Sequence, residues 1–310
     1  MTGQLSPRTA QSRTGLPLSI SRTPSPDLAR HVVRYVITQF DQPDDAVLED
    51  FLMHEWGYLR VPIGDGWAMR RDGAWHAHEG PMVFGAQQRP FWVRCRGPVI
   101  AAGIVIRPAS WFTFCDRSAN MLADRLESVT GELAARLRWA CADVADHEQT
   151  FARLEKVVRL MVEESVRESD PIAEQFEAVA RHDPSRSVAG ICEMLGVPQQ
   201  RLERRVRTFF GHMPKTVLRR SRFLDMAAVM RGLAVPAADE LAAMRYYDQS
   251  HLNREFRHFA EMTPAQFRAA RTPLLTAGIE VRQQLKLFDA TAHPHDVPPP
   301  WVRPVQGPAP

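Results

Sequence analysis

The sequence predicts an α+β chain with three structured parts: a β-rich N-terminal domain, a helical middle and an all-α C-terminal domain. Three observations predict it. Short apolar or alternating runs separated by turn signals fill residues 27–115. Over 118–182 the apolar residues change to helical, 3.6-residue spacing. The stretch 186–271 then repeats itself at an offset of 50 residues.

Composition sets the frame. The chain has 310 residues, 45% of them hydrophobic and 24% charged, which is ordinary globular composition and excludes collagen, wholesale disorder and a disulfide scaffold. Cys95, Cys115, Cys141 and Cys192 form no CxxC pair, so reduced thiols and no structural zinc are expected. The longest apolar run, Gly97 to Ile106, is half of the roughly 20 residues that a membrane helix needs. No signal peptide is visible at the N-terminus, so a cytoplasmic, membrane-free protein is expected. The net charge of +3 hides an asymmetry: residues 186–271 hold 15 basic and 8 acidic residues, a net +7, and the remainder is net −4. A basic segment in an otherwise acidic chain points to an anionic partner for that segment.

Taken in order, residues 1–26 are rich in Ser, Thr, Pro and Arg and read as a disordered arm. In the β-rich domain, 27–115, strands are expected at Tyr58–Pro62, Gly66–Met69, Met82–Gly85, Phe91–Cys95 and Val99–Ile106, with a helix or short strand around Leu28–Phe40. The helical linker or dimerisation segment spans 116–182. Leu122, Leu126, Leu133, Leu137 and Ala140 suggest one or two helices there, and Phe151, Leu154, Val157, Val158 and Met161 another. Asp170-Pro171 is a helix start, Asp as N-cap and Pro at the first helical position. Residues 183–275 form the C-terminal domain, and 288–310, with seven prolines, read as a flexible tail.

In the repeat, Leu202, Arg204, Arg207, Phe209 and Pro214 recur as Leu252, Arg254, Arg257, Phe259 and Pro264. Apolar residues fall on one helical face in each copy. The other face holds Gln199, Gln200, Glu203, Arg204 and Arg207 in the first copy, and Gln249, Ser250, Asn253, Arg254 and Arg257 in the second. A short amphipathic segment precedes each: Val188, Ile191, Cys192 and Leu195, ended by Gly196, then Leu241, Ala242 and Met244. A short helix, a tight turn and a second helix with an amide- and arginine-lined face describe a helix-turn-helix, twice over. Gln and Asn pair bidentately with adenine, Arg with guanine, and a helix fits the major groove. Lys215, Arg219, Arg220 and Arg222 add cations for phosphates.

These residues carry a resemblance. Tyr246 to Phe259 followed by Met262-Thr-Pro264 is similar to the second helix-turn-helix of AraC/XylS-type transcription regulators. Leu195 to Val206, with Phe210 to Lys215 and Arg222-Phe223, is similar to the first. The N-terminal part resembles, over Gly103–Trp111, the domain of a subgroup with no assigned ligand. The resemblance implies two units joined by a long helix at about Pro214–Met230, with Gln200 and Arg204 reading bases in the first and Gln249, Ser250 and Arg254 in the second, Asn253 being a further candidate. Gln199 and Arg207 share the outer face, and Lys215 and Arg257 are assigned to phosphate. It also implies double-stranded DNA and RNA polymerase as partners. Three departures weaken the match: Pro198 replaces a Ser cap, Arg245 a turn Gly, and Glu261 stands where the first copy has Gly211, bringing negative charge towards the DNA. The first unit is therefore expected to dominate binding.

The N-terminal half offers fewer signals. His76-Ala-His78-Glu79 lacks the spacing of a cupin metal site, so no metal or other cofactor is expected. Trp56, Tyr58, Trp67, Trp75, Phe84, Phe91 and Trp92 suit either a core or an effector pocket whose residues the sequence does not name. GxSxG, Walker-A, GxGxxG and HExxH motifs are absent, so no catalytic residues are expected. The expectation is a DNA-binding regulator with a cupin-like barrel or sandwich as small-molecule sensor, and with a homodimer supported by the middle helices. The alternatives are a metal-dependent cupin-type enzyme fused to a DNA-binding domain, and a regulator controlled by a protein partner.

Overall fold

Strands Val99–Ile106 and Tyr58–Ile63 explain the N-terminal architecture, because nearly every residue in them is buried. Strands covered on both faces lose the polar alternation that marks a half-exposed sheet. The computed structural model, which describes residues 4–5, 18–234 and 249–292, shows what covers them.

Eleven strands are described: β1 (Gln4–Leu5), β2 (Ser19–Arg22), β3 (Val32–Phe40), β4 (Val47–Leu52), β5 (Tyr58–Ile63), β6 (Trp67–Arg71), β7 (Ala74–Ala77), β8 (Met82–Phe84), β9 (Phe91–Arg96), β10 (Val99–Ile106) and β11 (Leu126–Ser128). They make two antiparallel sheets. The larger has the order β1-β2-β3-β10-β5-β8-β11, the smaller β4-β9-β6-β7. One face of the larger sheet shares an apolar cluster with the smaller one, where Tyr58 meets Trp67, Met69, Val93 and Cys95. The other face packs Leu59, Val61 and Ile104 against helices α2 (Gly131–Ala140) and α3 (His147–Glu164). The β-rich domain is thus a sandwich with a helical layer on its larger sheet. Gly103 marks a close backbone approach in β10: a Cβ there would lie 2.2 Å from the Leu59 carbonyl oxygen.

Helix α1 is the single turn Trp111–Phe114. The remaining described helices are α4 (Pro171–His182), α5 (Val188–Leu195), α6 (Gln199–Phe210), α7 (Pro214–Met230), α8 (Gln249–Phe259), α9 (Pro264–Ala269) and α10 (Pro273–Ala292). Local signals set their ends. Asp170 caps α4 by accepting from the Ala173 amide at 2.9 Å, with Pro171 opening the helix as expected. Ser187 caps α5, and Thr263 closes a capping box with Gln266 at α9.

Two clusters join the sandwich to the C-terminal helices. One runs through α4 to α5 and α6, with the Phe176 and Phe210 rings 5.1 Å apart. The other seats Phe51 and Met53, at the end of β4, among residues of α7, α8, α9 and α10.

Several expectations are corrected. Residues 19–22 belong not to a disordered arm but to β2, whose Ser-Ile-Ser-Arg alternation pairs with β3. Of the helix or short strand expected around Leu28–Phe40, the structure has a strand, and a long one of nine residues, since Val32 to Phe40 is rich in β-branched residues. Leu126 sits in β11, paired with β8, so only Leu133, Leu137 and Ala140 of that apolar set share a helix. Residues 288–292 are the end of α10 rather than the start of a tail.

Candidate nucleic-acid interface

Over the described residues the two halves of the repeat fold alike. Helices α6 and α8 begin 50 residues apart, at Gln199 and Gln249, and α7 and α9 do so at Pro214 and Pro264. In the first unit Gly196 takes the left-handed conformation (φ 62°) that ends α5, and its turn delivers the chain to α6. Pro198 caps α6 without a side-chain hydrogen bond, as its chemistry requires. Leu202, Val206, Phe209 and Phe210 bury one face of α6. Gln199, Gln200, Arg204 and Arg207 stand exposed on the other, Gln199 donating to Glu203 at 2.7 Å. In α8, Phe256 and Phe259 are buried, Gln249, Ser250, Arg254 and Arg257 are exposed and Asn253 is half-buried. The helix α7 spans Pro214–Met230 as expected and joins the units, with Lys215 exposed in its first turn. The segment with Leu241, Ala242, Met244 and Arg245 lies outside the described residues.

The structure separates Lys215 from the arginines grouped with it in the sequence. Arg219 pairs with Glu255 of α8 at 2.7 Å. Arg220 is fully buried and donates to the Gln87 carbonyl at 2.9 Å. Arg222 donates to the Pro184 carbonyl at 2.5 Å. These three tie the domain together instead of presenting charge to phosphates. Glu261 is also placed differently from the expectation. It has φ 56°, matching Gly211 at φ 80° in the first unit. Its carboxylate turns to the smaller sheet, accepting from Trp92 Nε1 at 3.0 Å and Arg70 Nη2 at 3.3 Å.

A second site lies between the sandwich and the helices. A cavity of about 410 Å³ is lined by strands β2, β3, β5 and β10, the 53–56 turn, α4, α7 and α10. Its walls are mostly apolar, with Val33, Trp56, Leu224 and Ile279 among them. Arg34, His54 and Arg60 also line it, and Arg34 Nη1, His54 Nε2 and Arg60 Nε have no hydrogen-bond partner among the described residues. Burial pushes the Arg34 guanidinium down to about 10 and holds His54 well below the usual histidine range, with Arg60 and Arg34 adding to the His54 effect. Glu55 is held down at about 2 because Arg282 outweighs the effect of burial. Sequence reasoning left this site without residues. Its signal was present as arginines inside apolar strands, Val33-Arg34-Tyr35 and Leu59-Arg60-Val61.

Of the aromatic set, Trp56 and Tyr58 reach this cavity, whereas Trp67 and Phe84 are core and Trp75 lies on the outer sheet face under Arg94. His76 and His78 flank the end of β7, and no group of three metal-ligating side chains occurs among the described residues. None of the described helices is long and apolar enough to cross a membrane.

Comparison with known proteins bears on the repeat. Residues 191–270 match the family model of a helix-turn-helix domain. This is an AraC-type DNA-binding domain. The match begins within α5, spans α6 to α9 and ends before α10. Among solved structures the chain is similar to ToxT from Vibrio cholerae bound to an unsaturated fatty acid (TM-score 0.47, 9% identity, 76% of this chain and 94% of that one). It is also similar to ToxT of strain O395 (0.44, 9%, 76% and 97%) and to the AraC-like transcriptional activator CuxR (0.31, 14%, 73% and 86%). No curated protein matches the chain by sequence.

Proposed function

We propose that this protein is a sequence-specific transcription regulator that reads DNA through α6 and α8 and responds to a small molecule held in the cavity. One observation carries the DNA reading: both helices bury an apolar face and leave amides and arginines exposed, on units joined by one helix of 17 residues. Gln200 and Arg204, with Gln249, Ser250 and Arg254, are assigned to base edges, and Asn253 and Gln199 sit beside them. Arg207, Lys215 and Arg257 are assigned to phosphate. RNA polymerase is the downstream partner in this reading, and a homodimer through the middle helices is its assembly. The effector is an apolar molecule with one anionic group, because the cavity is mostly apolar, its carboxylate Glu55 is already paired with Arg282, and Arg34 Nη1 and Arg60 Nε have no hydrogen-bond partner among the described residues.

The test is selection of genomic DNA fragments by the purified chain at two salt concentrations, followed by sequencing. A motif in two blocks about one helical turn apart supports both units as readers. Uniform, salt-sensitive binding without a motif means phosphate attraction alone and overturns the reading.

A further inference from the structure

Helix α10 lies beyond the matched domain, yet it is fastened to both halves of the molecule. At its start, Asp50 of β4 accepts from the backbone amides of Leu274 at 2.7 Å and Leu275 at 3.3 Å. Further along, Arg282 donates to Glu55 at 2.8 Å and to Asp225 of α7 at 2.6 Å. Lys286 donates to the same Asp225 oxygen at 2.7 Å. Asp50, Asp225, Arg282 and Lys286 are buried, and Glu55 is nearly so. Between the anchors α10 forms one wall of the cavity, and a Cβ added to Gly278 there would meet nothing within 4 Å.

We propose that α10 is a strap through which the cavity controls the DNA-binding domain. It rests on reading the cavity as an effector site. A ligand in the cavity touches α10 directly. Separating α10 from α7 would strand buried charges, which is strongly unfavourable, so the two helices move together. Helix α7 in turn joins α6 to the second unit, so the position of α10 sets how the two reading helices are presented. The ligand acts by its differential affinity for two positions of the strap. It need not touch the DNA-binding domain's outer face.

The experiment uses the full chain and 8-anilinonaphthalene-1-sulfonate, an apolar anion, as probe. Binding is followed by fluorescence and its footprint by hydrogen exchange. Saturable binding that slows exchange in both α10 and α7 is expected. Gly278→Leu, which fills the open space without altering a left-handed residue, is expected to weaken the probe at least about tenfold. Arg34→Met, which removes a cation facing the cavity, is expected to weaken it similarly and serves should the first variant fail to fold. Slowed exchange confined to the sandwich strands, with α7 unchanged, overturns the strap. Undiminished binding by Gly278→Leu or by Arg34→Met places the probe elsewhere and overturns it too, as does absence of saturable binding. Failure of the regulator reading is separate: it appears as DNA selection without a motif and leaves the probe measurements unaltered.

Discussion

Glu261 shows how a single residue can be both strained and useful. A non-glycine left-handed residue costs on the order of 1 kcal/mol, and Glu261 adopts φ 56° at the position where Gly211 serves in the first unit. Its carboxylate joins the second unit to Trp92 and Arg70 of the sandwich. Glu261→Ala loses these contacts and keeps the strain, whereas Glu261→Gly loses both. Denaturant unfolding should therefore find the Gly variant more stable than the Ala variant by about 1 kcal/mol. Equal stabilities would remove the left-handed turn from the argument. His54 makes a pH prediction. Burial, then Arg60 and Arg34, lower its folded pKa well below 6.5, so the unfolded chain binds the proton more tightly. Its contribution to stability is complete above pH 6.5 and is lost as pH falls. Asp50, raised to about 7 mainly by burial, works in the opposite direction over part of that range. The comparison must therefore be with His54→Phe, whose unfolding free energy should fall less steeply than the native chain's below pH 6.5. The difference should approach 1.4 kcal/mol per pH unit, since one proton is removed from the balance.

At the scale of elements, capping gives the simplest expectation. Asp170→Ala removes the hydrogen bond to the Ala173 amide and should cost about 1 kcal/mol, read by thermal unfolding. No change would mean that Pro171 alone starts α4. The same local chemistry explains what the sequence discloses. Helices α4, α6 and α7 are legible from caps, prolines and the 50-residue repeat, all of which are near-neighbour signals. Strands β5 and β10 are legible as apolar runs. Strands β4 and β7 are not, because Val47 and Glu49 are exposed and Asp50 is buried for the sake of a helix more than 220 residues away. The exposed polar faces of α6 and α8 are legible because exposure follows helical period. The fates of Arg219, Arg220 and Arg222 were not, since an arginine's partner is set by tertiary packing: Glu255, Gln87 and Pro184 come from three different segments. The cavity was illegible for the same reason. Its walls come from both ends of the chain, and only the buried arginines in β3 and β5 hinted at it.

Across the whole molecule, the sandwich supplies part of the core of the second helix-turn-helix unit. Phe51 is on β4 and has no exposed surface, and it lies in one cluster with Phe223, Phe256, Phe259 and Phe267. Phe223 is 5.1 Å from both Phe256 and Phe259. Truncating a buried phenylalanine costs about 3–5 kcal/mol through lost burial and the void that remains. Phe51→Ala is thus a substitution in the N-terminal domain whose void opens beneath α8. The first unit rests on a different contact, Phe210 against Phe176 of α4, which this substitution leaves intact. Hydrogen exchange on Phe51→Ala should show faster opening of α8 and α9 with α5 and α6 close to their native rates. In the DNA selection, preference should fade in the block assigned to Arg254 under the proposed function while the block assigned to Arg204 persists. Independent domains would behave otherwise: the sandwich alone would loosen, both blocks would survive, and the shared cluster would not be what holds the second unit in register. Because a side chain of the sandwich completes the core beneath α8, any shift of β4 is already a shift of the floor under that helix, a coupling that acts alongside the α10 contacts.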